Sequence, residues 1–437
     1  MNNGMPRGRA IAIIAAFLGA PRFVTALTTL IVGVAVFAYP LRQLTGWAGL
    51  IGMLLVLVVC AVSSAIARRE VIEWRGVLPV SLLIFLGWAI VSLIWSQYRW
   101  ATLGGLMYLG AFTLLALYVA LMRDTIQVVR AFGDVLRVTL IASLAVELLS
   151  GILLDTPIKL LGIEGDLASL GPIQGLMGSR NQLGLIALVA LITFGTEYRT
   201  KSVSRWVGLG SIATAVACIG LSRSPVIAAV LGVVIIAAAA LYGIRRVRPD
   251  RRTFWQLAIL VAVAVAAVAA WISRAGIITL FSANSELSYR VETWQKVWTL
   301  IPIHPLEGWG WVGFWHDEIQ PFQIFELGNG GTPPSALNGY LDVWFQLGLV
   351  GFFLFAALVW LTFARSWLLA GRQRTFVYAW PALVLVALLV TTLAESSILG
   401  EYGWLTFVVC CVKAAGELSW RRAFERSSLP EEPLPAS

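Results

Sequence analysis

The feature that most constrains this chain is a succession of apolar runs, each long enough to approach the thickness of a lipid bilayer. Crossing the hydrocarbon core takes about 20 residues of α-helix. Only 13% of the 437 residues are charged and 59% are hydrophobic, whereas about a quarter of a soluble domain is charged. This composition excludes a soluble enzyme, a disordered chain and a secreted disulfide scaffold. It predicts an all-α, polytopic integral membrane protein.

About 12 transmembrane helices are predicted from the apolar runs. They cover approximately residues 23–40, 45–66, 78–96, 101–122, 138–154, 182–197, 204–221, 225–244, 254–273, 338–364, 376–394 and 403–418. The four cysteines all fall inside these runs, which is typical of small buried hydrophobic residues rather than of a disulfide or zinc site.

The positions of Lys and Arg predict the orientation of the helices, because cytoplasmic loops carry an excess of cations. With the N-terminus in the cytoplasm, 24 of the 32 Lys and Arg residues lie on the cytoplasmic side. The outer cations are then Arg42, Arg99, Lys159, Arg180, Arg223, Arg274, Arg290 and Lys296. We therefore expect both termini in the cytoplasm, and the net charge of +9 needs no nucleic-acid partner.

The lengths of the segments predict five regions. Residues 1–22 form a cytoplasmic lead-in, 23–273 helices one to nine, 274–337 a long extracytoplasmic catalytic loop, 338–418 helices ten to twelve, and 419–437 a cytoplasmic tail. The Pro- and Glu-rich tail has a composition typical of disorder. Long loops in compact folds usually carry function, so the active face is predicted to be extracytoplasmic.

Arg223 lies in a very short turn, Leu-Ser-Arg-Ser-Pro, between two apolar segments. Ser222 or Ser224 can cap the helix that follows, and Pro225 fits its first turn. Backbone N–H groups and a guanidinium at a helix N-terminus make an anion site that suits phosphate. The alternative is that Arg223 only anchors the hairpin at the membrane surface.

A second candidate region is the glycine-rich stretch Gly175–Gly184, which leads into the sixth predicted helix and contains Arg180 and Asn181. Gly178 and Gly184 permit close backbone approach, and the Asn181 amide can both donate and accept hydrogen bonds. Here too the alternative is a loop that ends in a membrane-surface arginine.

The long loop contains a stretch with helical spacing, Leu287–Trp298, in which Arg290 is a candidate anion ligand. Glu292 and Lys296 are spaced as an i,i+4 pair. Trp294 shares a face with Trp298, which suits packing or a contact with a sugar ring.

His304 and His316 are the only histidines of the chain, and both lie in this loop. The Pro and Gly residues around His304 predict a tight turn. A histidine can act as a general base near neutral pH, although a lone loop histidine is more often structural. Asp317 and Glu318 adjoin His316, but no further ligand stands at metal-site spacing, so no metal is expected.

Ionisable groups inside membrane segments are costly and usually face a cavity or a partner. Asp342 follows Asn338 by one helical turn near the predicted outer end of the tenth helix, Glu395 ends the eleventh helix on the same side, and Glu147 lies in the fifth. Together with the arginines, these residues predict a polar pocket that opens outward.

Taken in order, these stretches resemble the O-antigen ligase and exopolysaccharide polymerase superfamily of bacterial membrane glycosyltransferases. The motifs that carry the resemblance are Ser92-Leu-Ile-Trp95-Ser96, Gly175–Gly184 with Arg180, Asn181 and Gly184, Ser222-Arg223-Ser224, Ser288–Trp294 with Arg290 and Trp294, His304-Pro305-Leu306 with Gly308 and Gly310, and Asn338–Gly351 with Tyr340. The resemblance covers approximately residues 80–400.

The resemblance implies transfer of a glycan from an undecaprenyl-diphosphate-linked donor to a saccharide or lipid acceptor, outside the cytoplasmic membrane, with no metal and no other cofactor. In this family arginines hold the diphosphate, and a histidine before the Asn activates the acceptor hydroxyl. Leu337 stands at that position in this chain. The base is therefore expected elsewhere, at His304, His316, Glu292 or Asp317, or it is not needed. His304 is the first candidate.

Two other functions were weighed. A transporter or flippase for a lipid-linked or anionic solute would also use a polar pocket, but transporters tend to have duplicated halves and interrupted helices at the bilayer midplane. The sequence indicates neither feature, and the polar residues cluster at the predicted outer face. A transferase with an acidic motif in its first outer loop is disfavoured because Leu41–Gly46 contains no Asp or Glu. Polymerase and ligase remain equally open.

Overall fold

A computed structural model describes residues 7–70, 79–168, 171–272, 285–325, 333–373 and 375–417. The structure is 80% helical, with no strand among the described residues, which confirms the all-α fold class. Its helices are α1 (Arg7–Leu18), α2 (Pro21–Val36), α3 (Ala38–Ala67), α4 (Val80–Val91), α5 (Arg99–Met122), α6 (Thr125–Leu148), α7 (Arg180–Thr200), α8 (Arg205–Ser222), α9 (Pro225–Arg246), α10 (Pro249–Ile272), α11 (Ser285–Leu300), α12 (Gly339–Arg372), α13 (Ala379–Thr391) and α14 (Glu401–Glu417).

Seven of the described helices are long and apolar enough to cross a membrane. They are α3, α5, α6 with a π-helical extension to Leu154, α7, α8, α9 and α12. Shorter apolar helices occupy Pro21–Val36, Val80–Val91 and Phe376–Thr391. A multi-pass membrane protein is thus confirmed, whereas the count of twelve spans stays a prediction. The predicted tail, and residues 274–284 and 326–332 of the predicted outer loop, lie outside the described residues.

The centre of the bundle is formed by α7, α13 and α14, whose side chains are apolar on nearly every face. A helix that is hydrophobic all round is normally buried among others. Two tryptophans in this centre donate hydrogen bonds to threonine hydroxyls on neighbouring helices. Trp380 Nε1 donates to Thr193 Oγ1 at 2.9 Å, and Trp404 Nε1 donates to Thr113 Oγ1 at 2.8 Å. These bonds fix the registers of α13 on α7 and of α14 on α5.

Helix α12 is broken at Gly348, which has φ +67°, so the expectation that no apolar helix is interrupted is wrong. The chain from Pro305 to Gly310 lies against this break and satisfies its backbone. Gly310 N donates to Gln346 O at 2.8 Å, and Leu349 N donates to Pro305 O at 2.9 Å. The turn predicted around His304 is therefore a strap across a broken helix. Its glycines are required because Gly308 has φ +72° and a Cβ there would lie 2.4 Å from Gly348 N.

We expect Gly348→Ala to lower the free energy of unfolding by about 3 kcal/mol or more, from positive φ and overpacking together. An added Cβ would lie 2.1 Å from the Leu306 carbonyl oxygen. Gly232→Ala is the matched control because its site in α9 is open, and a helical Ala is favoured by about 1 kcal/mol. Thermal unfolding in detergent measures both. A Gly348→Ala variant that melts at the same temperature as the wild-type protein would contradict the role given to Gly348.

Candidate functional site

A cavity of about 780 Å³ opens where α7, α12 and α14 begin. Its wall also includes α3, α5, α11 and the segments around residues 311–315 and 395–400. The charged and amide side chains on this wall are Arg42, Asn181, Gln182, Arg290, Asp342, Glu395 and Glu401. The structure thus gathers Asn181, Arg290, Asp342 and Glu395, four of the residues predicted from the sequence, around one space.

Arg290 and Glu395 form a buried ion pair on the cavity wall. Arg290 Nη2 donates to Glu395 Oε1 at 2.8 Å, and Arg290 Nε donates to the carbonyl of Ala394 at 3.2 Å. Asn181 Nδ2 donates to the same carboxylate oxygen at 2.8 Å. The Arg290 side chain is buried, and breaking a buried ion pair costs about 3–5 kcal/mol. The Arg290 guanidinium is therefore held in one orientation.

The network continues from Asn181 into the Ser-Arg-Ser turn. Ser224 Oγ donates to Asn181 Oδ1 at 2.6 Å, and the same hydroxyl accepts from Ile227 N as the N-cap of α9, with Pro225 in the first turn. Of the two serines that could cap this helix, Ser224 does so. Arg223 itself has φ +46°, is exposed and is absent from the cavity lining.

The glycine-rich entry to α7 packs tightly, as the sequence predicted. Gly178 has φ +72°, and a Cβ there would lie 2.2 Å from the Tyr39 ring. Glu147, fully buried, fixes this entry by accepting from Gln174 N at 2.8 Å and Gly175 N at 2.7 Å. Arg180, next to the cavity residue Asn181, is half-buried and not part of the lining.

A second ion pair lies on the same cavity wall and joins residues 359 positions apart. Arg42 Nη1 donates to Glu401 Oε1 at 2.8 Å, and Tyr108 OH donates to the same oxygen at 3.1 Å. The guanidinium carbon lies 4.8 Å from the centre of the Trp47 ring and 5.1 Å from that of Phe314. In the sequence, Arg42 stands out only as one of the eight predicted outer cations and not as a site residue.

Asp342 is 1% exposed and lies in the first turn of α12, on the cavity wall. Its Oδ1 accepts from Trp315 Nε1 at 2.9 Å and from Gln346 Nε2 at 2.9 Å. The side-chain Oε1 of Gln346 in turn accepts from Val312 N at 2.8 Å and Gly313 N at 3.0 Å. The amide of Gln346 thus ties Asp342 to the segment that forms one side of the cavity.

Leu337, which occupies the position of the family histidine, also lines the cavity. Its backbone has φ +50°, a conformation that is rare for a bulky residue and marks local strain. Its N–H bonds to Ser335 Oγ at 3.2 Å. Asn338 follows as the N-cap of α12, accepting from Tyr340 N and Leu341 N at 3.1 Å each.

His304 does not line this cavity in the described structure. Its Nδ1 lies 3.0 Å from Glu307 Oε1, and its ring packs edge-on against Trp309. The hydrogen bond from His304 lowers the pKa of the Glu307 carboxyl below its usual range. His316 packs against Trp100, and it too is absent from the lining.

Trp294 and Tyr340, the remaining predicted site residues, do not line the cavity, and their side chains bond to the backbone of neighbouring segments instead. Trp294 Nε1 donates to the carbonyl of Ala336 at 2.9 Å, and Tyr340 OH donates to that of Leu389 at 3.2 Å. Helix α11 includes the stretch for which helical spacing was predicted. The expected i,i+4 pair forms there, with Lys296 Nζ 3.3 Å from Glu292 Oε1. In the described ranges no three His, Cys, Asp or Glu side chains cluster as a metal site would require.

Residues 211–356 match the family model described as O-antigen ligase. The matched range includes Arg223, Arg290, His304 and Asp342, and it confirms the resemblance to the O-antigen ligase superfamily indicated by the motifs. None of the curated proteins compared with the chain matches it. The family match supports a glycosyltransferase-like role in polysaccharide biosynthesis for this multi-pass membrane protein.

Proposed function

We propose that the protein is a glycosyltransferase of the bacterial cytoplasmic membrane that moves a glycan from an undecaprenyl-diphosphate-linked donor onto a saccharide or lipid acceptor. The reaction takes place in the described cavity, at the extracytoplasmic face. One observation carries the proposal. Within a chain that matches the O-antigen ligase family, Arg290 and Arg42 are both fixed on the wall of a single cavity.

The two arginines suit a diphosphate leaving group. As the glycosidic bond breaks, negative charge develops on the diphosphate, and preorganised cations in a water-poor site stabilise that charge. A guanidinium has five N–H donors that match phosphate oxygens. Arg42 directs one of them to Glu401. In this proposal Arg290 and Arg42 contact the diphosphate, while Glu395 and Glu401 hold the guanidinium planes in place.

The aromatic side chains around Arg42 suit the glycan. Tyr39, Trp47, Tyr108 and Phe314 all line the cavity beside the guanidinium. Their apolar faces can cover the C–H faces of sugar rings, while the hydroxyl groups of the two tyrosines can form hydrogen bonds with sugar hydroxyls. Arg223 and Arg180 stay proposed donor contacts, since each adjoins a residue of the Asn181–Ser224 hydrogen bond.

The proposed orientation can be tested by thiol labelling. Cys218, Cys410 and Cys411 are buried, so in a Cys60→Ser background a cysteine introduced at the exposed residue Asp155 should react with an impermeant maleimide in intact spheroplasts. A cysteine at the exposed residue Lys201, at the opposite end of α7 from the cavity, should react only after lysis. Labelling of position 201 alone in intact spheroplasts would place the cavity in the cytoplasm.

Deletion of the gene tests the function itself. Loss of polysaccharide chain length indicates a polymerase, and accumulation of finished lipid-linked glycan indicates a ligase. An unchanged envelope glycan profile would contradict both. A flippase, the second function considered, would instead leave the lipid-linked glycan at the inner leaflet, where an impermeant glycan-oxidising reagent cannot reach it in spheroplasts.

A further inference from the structure

Among the described residues, three carboxylates line the cavity, and they differ in their hydrogen-bond and ion-pair partners. Glu395 is bonded to Arg290, and Glu401 is bonded to Arg42. Asp342 accepts from the neutral groups of Trp315 and Gln346, and among the described residues no Lys or Arg lies within ion-pair distance of it. A guanidinium stabilises the charged form of a carboxylate more strongly than neutral donors do. Asp342 is therefore the one of the three that is not engaged in an ion pair among the described residues.

The start of α12 holds Asp342 in a fixed position beside Leu337. Both residues line the cavity, and the Asn338 cap defines the helical turn between them. Trp315 and Gln346 both donate to Oδ1, and the Ser396 side chain and the Ala336 backbone also interact with the carboxylate, so uncharged groups hold it in one orientation. Gln346 and Trp315 are fully or largely buried, which keeps this orientation rigid. A positioned group of this kind is what general base catalysis requires.

We propose that Asp342 is the general base of the transfer reaction and acts in place of the histidine that this chain lacks at position 337. The inference rests on the proposed function. The acceptor O–H bond breaks and its proton passes to the Asp342 carboxylate, while the acceptor oxygen forms the new bond to the anomeric carbon. The bond from that carbon to the diphosphate oxygen breaks, and its electron pair leaves with undecaprenyl diphosphate. Asp342 then returns the proton to water.

The test measures release of undecaprenyl diphosphate by the purified full-length protein in liposomes, supplied with the lipid-linked glycan and the acceptor lipids extracted from the deletion strain. Asp342→Asn keeps the shape of the side chain, so we expect the donor KM and the melting temperature to stay unchanged. The loss of a general base should lower kcat about a hundredfold to ten-thousandfold. Asp155→Asn, at an exposed position away from the cavity, is the matched control and should keep the wild-type rate.

Rescue separates a base from a merely structural carboxylate. Adding Leu337→His to Asp342→Asn places an imidazole on the same cavity wall, and we expect it to restore at least a tenth of the wild-type kcat. A structural role for Asp342 would not be rescued from position 337. A wild-type rate in Asp342→Asn, or a loss that Leu337→His does not restore, overturns the assignment.

Two further comparisons keep the assignment testable. If Asp342→Asn fails to fold, Asp342→Glu and Asp342→Gln are compared, since they match in length and differ in the carboxylate. We expect at least a tenfold higher rate for Glu, and equal rates would overturn the proposal. Arg290→Ala distinguishes a failure of the proposed function from a failure of the assignment of Asp342 as the base. Suppose that the wild-type protein and Asp342→Asn both transfer glycan and that Arg290→Ala does not. The assignment of Asp342 as the base then fails, while the proposed function stands.

Discussion

Replacing Arg290 by Ala should lower glycan transfer about a hundredfold to a thousandfold, the loss expected when one fixed donor to a developing charge is removed. Arg290 lies on the cavity wall and is 7% exposed. Lys at this position should recover only part of the rate, because an ammonium lacks the planar fork that contacts two phosphate oxygens. The rate of undecaprenyl diphosphate release by the purified variant in liposomes provides the measurement.

Stability has to be separated from transfer in this variant. Removing Arg290 leaves Glu395 buried without its cation, which should lower the free energy of unfolding by about 3–5 kcal/mol. Adding Glu395→Gln removes the stranded charge and should recover most of that stability without recovering transfer. Lys296→Ala, on the same helix but outside the cavity lining, is the control. Recovery of transfer in the stable double variant would show that Arg290 is only structural.

Replacing Asn181 by Asp should produce the second large effect. The Asn181 amide lies 2.8 Å from Glu395 Oε1, so Asp would set two carboxylates against each other beside a single arginine. We expect the free energy of unfolding to fall by about 3–5 kcal/mol, as for an uncompensated buried charge, and transfer to be lost because Arg290 is drawn away from the cavity. Thermal unfolding and complementation measure the two consequences.

Two other substitutions separate charge repulsion from loss of hydrogen bonds at Asn181. Asn181→Leu removes the bonds to Glu395 and Ser224 without adding charge, and should cost about 1–3 kcal/mol for each unsatisfied partner. Gln323→Glu makes the same amide-to-carboxylate change at an exposed position and should be neutral. Asn181→Asp with wild-type stability and wild-type transfer would show that this network does not control the cavity.

Much of the fold could be predicted because a bilayer leaves few alternatives. Each predicted apolar segment overlaps a helix of the structure, since backbone polar groups in hydrocarbon must bond within their own segment. The cap at Ser224, the helix around Arg290 and the close approach at Gly178 also follow from local patterns. Such features depend on residues within one or two turns, which is why a single sequence reveals them.

Features that depend on contacts between distant segments could not be predicted. The break at Gly348 lies inside a continuous apolar run, and only the strap from Pro305 to Gly310 shows why the helix parts there. His304, the first candidate for the base, adjoins this strap and lies outside the cavity lining, which a local pattern of Pro and Gly residues does not reveal. Arg42 was missed because its partner, Glu401, is 359 positions away.

Reconstitution of the purified protein in sealed liposomes tests the central claim most directly. The liposomes contain undecaprenyl-diphosphate-linked glycan and the acceptor lipids of the deletion strain, and mass spectrometry follows free undecaprenyl diphosphate and acceptor or glycan of increased mass. We expect both products to form with the wild-type protein and neither to form with the Arg290→Ala, Glu395→Gln double variant. Movement of intact lipid-linked glycan between the leaflets, without cleavage of its diphosphate bond, would contradict the account and identify a flippase.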